Sequence, residues 1–247
     1  FTASAEVIRY LGAHPVLLDT EYRTNLITPE ILTAAIEKHP NIKVLVIVHF
    51  SGQAADMPTI KRICDSHHIK ILEDAAHAFP TKCDKKYIGS FGDITCFSFY
   101  ANKTITTGEG GMLVTSNEEI FKRVKVMRLH GINRDVWDRF NSDKPSWEYD
   151  VVEAGYKYNM PDLSAAVGLG QLDQAALFRD ERQKAVEWYY EELKVVSMLD
   201  LPICHGNLED HSWHLFIVVL NESAKITRNQ FIEKLAGFGI GTSVHYK

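Results

Sequence analysis

Lys103 is the residue of this chain whose type and position point most directly to chemistry. It follows an alternating, strand-like segment that ends at Phe99, and it precedes a glycine-rich segment, residues 106–111. An amine held at a strand end and partly removed from water can lose its proton near neutral pH and attack a carbonyl carbon to form a Schiff base. Most lysines are solvated surface charges, so Lys103 by itself is weak evidence for such a role.

Asp74 is the second candidate, and it comes directly after a predicted strand, residues 69–72. The carboxyl ends of strands are where α/β sheets place ligand-binding residues. A carboxylate beside a ring nitrogen favours the protonated form of that nitrogen. Without Lys103, however, we would interpret Asp74 as the cap of a following helix, and His77 as a satisfied core histidine.

The glycines after Lys103 do not match a nucleotide-binding loop. A Walker loop requires Lys followed by Ser or Thr directly after its last glycine, whereas Lys103 precedes the glycines here. The spacing of Gly108, Gly110 and Gly111 also differs from G-x-G-x-x-G.

Composition indicates a soluble globular protein. The chain has 247 residues, 45% of them hydrophobic, which is enough for a large core. A net charge of -5 without a Lys/Arg run argues against nucleic acid or an anionic membrane as the main partner. The longest apolar run, residues 44–48, is too short to span a bilayer, and no targeting signal is visible. We therefore expect a cytoplasmic location.

The cysteines and clustered histidines do not predict a metal site or a disulfide framework. The four cysteines contain no C-x-x-C pair, so reduced thiols are expected. His205, His211 and His214 lie close in sequence, but no further ligands follow at suitable spacing.

Strands and helices alternate along the chain, which favours a parallel α/β sheet. Strands are predicted over residues 44–50 (buried on both faces), 69–72, 94–99, 112–115 and 213–220. Helices are predicted from an Asp56 cap with Pro58 to His67, from a capping box at residues 116–119 to about 128, and over residues 161–193.

The 161–193 segment carries apolar side chains at helical spacing that are predicted to be buried: Leu163, Val167, Leu169, Leu172, Leu177, Val186 and Tyr189. Periodicity vanishes over residues 132–156, an aromatic-rich span that we interpret as a functional lid or substrate loop. A composition shift over residues 195–202 suggests a domain boundary.

Several motifs, in order, resemble the DegT/DnrJ/EryC1/StrS family of sugar aminotransferases over nearly the whole chain. They are Gly52-Gln53-Ala54-Ala55-Asp56-Met57, Glu73-Asp74-Ala75-Ala76-His77-Ala78, Gly89-Ser90-Phe91-Gly92-Asp93, Cys96-Phe97-Ser98-Phe99, Lys103, Thr107-Gly108-Glu109-Gly110-Gly111 and Gly155-Tyr156-Lys157-Tyr158-Asn159-Met160.

The resemblance implies the aspartate-aminotransferase-like α/β fold (fold type I), with a mostly parallel seven-stranded sheet in a large domain and a smaller carboxyl-terminal domain. We expect the large domain to be residues 1–194 and the start of the small one to be residues 195–247. Relative to the family, the chain reads as a fragment that lacks an amino-terminal phosphate-binding loop and the rest of the small domain. Activity of this fragment by itself is therefore doubtful.

Site roles are also implied by the resemblance, for the cofactor pyridoxal 5'-phosphate. Lys103 would bind its aldehyde, Asp74 would pair with its ring nitrogen, and His77 would lie near its ring hydroxyl. The phosphate would be bound by Ser98 and by Asn159 of the neighbouring subunit, so a homodimer is implied. Phe1 would stack on the ring, although a terminal Phe could equally be frayed.

The function implied is transamination of a nucleotide-linked keto sugar with glutamate as the amino donor. The Tyr156-Lys157-Tyr158-Asn159 version of its motif is most similar to enzymes that act at C4 of UDP-linked sugars. Related sugar 3-dehydratases carry histidine at the lysine position, so Lys103 argues against that reaction. The alternative is a catalytically silent dimerising module of the same fold.

Overall fold

A mixed four-stranded sheet forms the centre of the computed structural model, which describes residues 1–133 and 149–246. The strands are β1 (Val44–Val48), β2 (Lys70–Asp74), β3 (Lys82–Cys83), β4 (Lys86–Tyr87), β5 (Ile94–Ser98), β6 (Gly111–Val114), β7 (Leu199–Asp200) and β8 (Val219–Leu220). The strand order of the sheet is β1-β2-β5-β6, with β1, β2 and β5 parallel and β6 antiparallel to β5. Two small antiparallel pairs, β3 with β4 and β7 with β8, lie outside it.

Helices connect and flank these strands. Two short 3-10 turns, Phe50–Gly52 and Leu208–Asp210, accompany them. None of the helices in the described residues is long and apolar enough to cross a membrane. The helices are α1 (Thr2–Tyr10), α2 (Pro29–Lys38), α3 (Met57–Ser66), α4 (Glu118–Met127), α5 (Asp162–Asp173), α6 (Ala175–Leu193) and α7 (Arg228–Gly237).

The main core lies on one face of the sheet, where α2 and α3 pack against β1 and β2. Leu45 and Ile47 are buried there, whereas Val44 is exposed and Val46 is half-buried. The prediction that residues 44–50 are buried on both faces is therefore wrong. The burial alternates because the helices of this core cover a single face of β1.

The predicted N-cap of α3 is confirmed, whereas that of α4 differs from the prediction by one residue. The Asp56 side chain accepts from the Thr59 N–H at 3.2 Å and caps α3, with Pro58 in the first turn. At α4 the cap is Asn117, which accepts from two backbone N–H groups, rather than the predicted capping box that began at Ser116. An Asn at the N-cap can satisfy both donors by itself, so no reciprocal Glu contact is needed.

The predicted helix over residues 161–193 is two helices, α5 and α6, that meet at Gln174. Of the apolar positions predicted to be buried, Val186 is buried and the other six are exposed or half-exposed. Helix α5 has no buried residue although apolar side chains occur on all its sides. A helix that is apolar all round normally lies inside a protein. The prediction of burial is therefore wrong for six of the seven positions in this chain.

Two further predictions need comment. The strand predicted over residues 213–220 is reduced to β8, which pairs with the two residues of β7, and Trp213 at the start of the span has a positive φ of 50° that extended backbone does not adopt. The lid or loop predicted over residues 132–156 lies mostly outside the described residues, and it stays a prediction.

Gly52 joins the turn after β1 to the segment that carries Ser212. Its backbone oxygen accepts from the Ser212 N–H at 3.1 Å and from Thr81 Oγ1 at 2.8 Å. Its φ is +104°, and a Cβ at this position would lie 2.1 Å from Ser212 Oγ. Both the backbone conformation and the close approach therefore require glycine.

We expect Gly52→Ala to destabilise the protein more than Gly206→Ala, its matched control. Gly206 also has a positive φ, of 93°, but a Cβ there would have nothing within 4 Å. Gly206→Ala should cost about 1–3 kcal/mol of backbone strain. Gly52→Ala should cost about 1–3 kcal/mol more from overpacking. Urea unfolding measures both values, and equal losses would contradict the steric argument.

Candidate active site

Asp74 ends β2 with its carboxylate held by two donors from this chain. Ser4 Oγ donates to Oδ2 at 2.6 Å, and the Ala76 N–H donates to Oδ1 at 3.1 Å. The first contact brings helix α1 to the carboxyl end of the sheet. Each carboxylate oxygen can accept a second hydrogen bond, so the group is oriented and can still bind another donor.

Lys103 lies in the turn that follows β5, the strand next to β2, and its backbone N–H donates to the Tyr100 oxygen at 3.0 Å. The side chain is half-buried. Burial lowers the pKa of the Lys103 amine, and the Asp74 carboxylate opposes that shift without cancelling it. A lowered pKa increases the fraction of uncharged amine at neutral pH, which is the nucleophilic form.

His77 is buried beside these two residues. Its ring lies 4.3 Å from that of His214, centroid to centroid, and its Nε2 lies 3.4 Å from the Tyr246 hydroxyl. Among the described residues its Nδ1 has no hydrogen-bond partner. Burial, and then the positive charge of Lys103, lower the pKa of His77 to about 3. The pKa of His214 is also lowered to about 3, by burial and then by His77 and Lys103, so both rings are neutral at pH 7.

Phe1 lies at the edge of this cluster, largely exposed, with its ring 5.5 Å from the ring of Tyr246. Ser98 ends β5 half-buried, and its Oγ accepts from the Tyr100 N–H at 3.3 Å. Asn159 lies in another segment and accepts from Lys157 Nζ. That segment pairs with Leu129 through an isolated bridge. The structure thus brings together Asp74, His77, Lys103 and Phe1, and the roles predicted for all six residues stay predictions.

Ser4, His214 and Tyr246 are the residues of this cluster that the sequence did not reveal. Ser4 is 70 residues from Asp74, and Tyr246 is 169 residues from His77, so no local spacing signals these contacts. In the sequence, His214 is a candidate only for metal binding, together with His205 and His211.

Those three histidines face different partners. His211 stacks on Trp213 at 3.8 Å, His214 packs on His77, and His205 lies 3.2 Å from Glu21. Within residues 1–133 and 149–246, no group of three or more His, Cys, Asp or Glu side chains is arranged to hold a metal ion.

The sequence profile of the DegT/DnrJ/EryC1/StrS aminotransferase family matches residues 1–247. The chain belongs to this family. The spore coat polysaccharide biosynthesis protein SpsC of Bacillus subtilis is 41% identical over 248 residues, which cover the whole chain and 63% of SpsC. The chain therefore spans less than two thirds of this relative's length.

Solved structures of similar fold agree with this family. Spr1654 of Streptococcus pneumoniae, a proposed sugar aminotransferase solved in its PMP form, superposes with a TM-score of 0.87 at 31% identity over 100% of this chain and 66% of its own. The GDP-4-keto-6-deoxymannose-3-dehydratase ColD, solved with bound GDP-perosamine, gives 0.86 at 26% identity over 97% of this chain and 62% of its own. The fold-type-I α/β class predicted from the sequence is thereby confirmed.

Pyridoxal phosphate is the cofactor of the family, and Spr1654 has also been solved in a PLP form. The residues of this cluster fit that cofactor. Asp74 offers carboxylate oxygens to a protonated ring nitrogen, and Lys103 offers an amine of lowered pKa. The buried Nδ1 of His77, which has no partner in the described part of the chain, is a polar atom that a ring substituent could satisfy.

Replacing His77 by glutamine should make the protein less sensitive to acid. A histidine held neutral in the folded state has a lowered pKa, so the unfolded state takes up its proton first as pH falls below about 6.5. The stability contributed by neutral His77 is thus present above that pH and is lost towards pH 3. Between pH 7.5 and 5, His77→Gln should lose about 2 kcal/mol less unfolding free energy than wild type. Urea titrations at both pH values measure this, and equal losses would mean that His77 is not buried neutral.

Proposed function

We propose that this protein transfers an amino group from glutamate to a nucleotide-linked keto sugar, with a UDP-4-keto sugar as the substrate. The observation that carries the proposal is the Lys103 amine, whose pKa is lowered by burial, next to the oriented Asp74 carboxylate in a chain of this family. We further propose a cytoplasmic enzyme that supplies amino sugars for cell-surface polysaccharides or secondary metabolites.

Ser4 and five of the residues predicted from the sequence each have a proposed task. When bound, pyridoxal phosphate supplies an electron sink for the carbon that loses or gains the amine. Asp74 keeps a proton on the ring nitrogen, and Ser4 orients its carboxylate for that purpose. Lys103 holds the cofactor between reactions and, once displaced, its Nζ takes up and returns the proton at the reacting carbon. Ser98 donates to the phosphate, His77 faces the ring hydroxyl, and Phe1 packs on the ring.

The active unit that we propose is a homodimer with shared sites. Helix α5, which has no buried residue and exposes Leu163, Val167, Leu169 and Leu172, begins shortly after Asn159 in sequence. Burial of such a helix against a second copy would remove that apolar surface from water. The same contact would bring Asn159 to the phosphate of the partner's cofactor. Residues 1–194 and 195–247 are proposed as parts of the large and small domains.

Two relatives support a sugar as the acceptor. SpsC is described as a polysaccharide biosynthesis protein, and ColD was solved with a nucleotide sugar bound. The UDP and C4 assignments rest on the similarity of the Tyr156-Lys157-Tyr158-Asn159 segment to family members with that specificity. Lys103 favours amino transfer over 3-dehydration, for which family members carry histidine at this position.

Lys103→Ala should abolish both covalent attachment of the cofactor and amino transfer, while the protein stays folded. In wild type, borohydride treatment with pyridoxal phosphate should attach the cofactor to the Lys103 peptide, as read by mass spectrometry. Transfer of ¹⁵N from glutamate to a UDP-4-keto sugar should fall by at least about 10²-fold in the variant. Lys43→Ala, at an exposed lysine, is the matched control and should retain both signals.

Three outcomes would contradict parts of the proposal. Wild-type-like turnover in Lys103→Ala would remove Lys103 from the mechanism. Cofactor attachment without ¹⁵N transfer to any keto sugar would favour the silent dimerising module, and loss of a sugar hydroxyl would indicate dehydration.

Asn159→Ala should weaken cofactor retention rather than the chemistry, and mixing it with Lys103→Ala tests whether sites are shared. A Lys103→Ala and Asn159→Ala heterodimer keeps both residues in one of its two sites only if Asn159 acts across the interface. After complete subunit exchange of equal amounts, about a quarter of wild-type sites should recover cofactor and activity. Mass spectrometry of the intact dimers confirms the exchange. Exchange without recovery would place Asn159 in the site of its own subunit.

A further inference from the structure

A fully buried carboxylate, that of Glu73, lies next to Asp74 in β2 and is held by three donors. Oε1 accepts from the Gly92 N–H and from Thr95 Oγ1, each at 2.7 Å, and Oε2 lies 2.9 Å from His49 Nε2. The side chains of Glu73 and His49 are both 0% exposed. Burial by itself raises the pKa of Glu73, and the hydrogen bonds from His49, Thr95 and Gly92 act in the opposite direction.

The tautomer of His49 follows from its second contact. The Ala55 N–H donates to Nδ1 at 3.3 Å, so Nδ1 must accept and Nε2 must carry the proton that is donated to Glu73. A doubly protonated ring would direct an N–H at the Ala55 N–H. The geometry therefore favours a neutral histidine beside an ionised carboxylate, which is an expensive group to bury unless every acceptor is satisfied.

The Glu73 carboxylate and its hydrogen-bond donors connect the strands that carry the candidate site. Glu73 is the register partner of Thr95 in β5 and of Ile47 in β1. The backbone N–H of His49 also donates to the backbone oxygen of Asp74 at 3.1 Å, so His49 holds the backbone of Asp74 as well. Successive side chains of a strand point to opposite faces, which places Glu73 behind the sheet and Asp74 in front of it.

The space around the carboxylate admits little else. A Cβ on Gly92 would lie 2.8 Å from Glu73 Oε1 and 3.2 Å from the Ile71 oxygen, so only glycine allows this backbone to approach and donate. The loop before β5, the start of β5 and the end of β1 are thereby all tied to one side chain of β2.

We propose that Glu73 is a positioning residue that fixes the Asp74 carboxylate relative to the Lys103 amine by tying β2 to β5 and β1. Asp74 is in β2 and Lys103 follows β5, so the Glu73–Thr95 contact determines how the carriers of these two groups meet. The inference rests on the proposed function in that Asp74 and Lys103 form the cofactor-binding pair. It assigns to a residue outside the cofactor site the task of setting that pair's geometry.

Glu73→Gln and Thr95→Val test the network at its two ends. An amide in place of the carboxylate cannot accept from all three donors without directing its own N–H at one of them. Thr95→Val keeps the shape and removes one donor. Ile71→Val is the matched control, because Ile71 is buried in the same strand two residues earlier but has no register partner in β5. Each variant is made in the intact protein, and its unfolding free energy is measured.

Two further measurements separate positioning from stability. In cofactor-free protein, the pH dependence of Lys103 modification by an amine reagent gives its titration midpoint. Asp74 raises the pKa of Lys103, so a looser arrangement should move that midpoint down in Glu73→Gln and Thr95→Val but not in Ile71→Val. Equilibrium dialysis with pyridoxal phosphate should show about tenfold weaker binding in the first two variants.

The proposal is overturned if the two variants lose stability like Ile71→Val while the Lys103 midpoint and cofactor affinity stay at wild-type values. If Glu73→Gln does not fold, Thr95→Val decides by the same criteria. A wild-type protein that binds no pyridoxal phosphate would refute the proposed function instead, and the Lys103 midpoint in cofactor-free protein would still decide the positioning role.

Discussion

The parallel pairing of β2 with β5 is the contact on which the candidate site depends. It places the end of β2, with Asp74, beside the strand that leads through Ser98 to Lys103. The carboxyl ends of parallel strands meet at one edge of the sheet, so residues 29 positions apart in sequence become neighbours there. Helix α1 then completes the edge, because Ser4 donates to Asp74. The amine and the carboxylate influence one another's charge only because this pairing holds.

Burial gives the site its electrostatic character. It lowers the pKa of Lys103 and keeps His77 and His214 neutral, and the cationic amine then opposes protonation of both rings. On the opposite face the same low polarity makes the Glu73 carboxylate costly unless it is fully hydrogen-bonded. On both faces a buried polar group is costly unless it has hydrogen-bond partners. The two faces differ in where those partners come from. Glu73 has all its donors within the chain, whereas His77 Nδ1 has none in the described residues.

The exposed apolar surface of α5 shows that a sequence pattern does not tell which part of a protein covers a helix. Helical spacing predicts burial of seven apolar residues between 161 and 193, yet six of them are exposed in this chain. We propose that a second subunit covers this surface. Val186, the position of that set that is buried, lies in α6 instead.

The sequence by itself determined what depends on near neighbours along the chain. The Asp56 cap of α3 and the approximate limits of β2, β5 and β6 follow from local hydrogen bonding and side-chain alternation, and the motifs around Asp74 and Lys103 identified the family. Tertiary structure decided that β1 is buried on one face, that Ser4, His214 and Tyr246 join the cluster, and that Glu73 acquires its donors. These outcomes depend on contacts between residues far apart in sequence, and local propensity and periodicity carry no information about which distant groups will pack together.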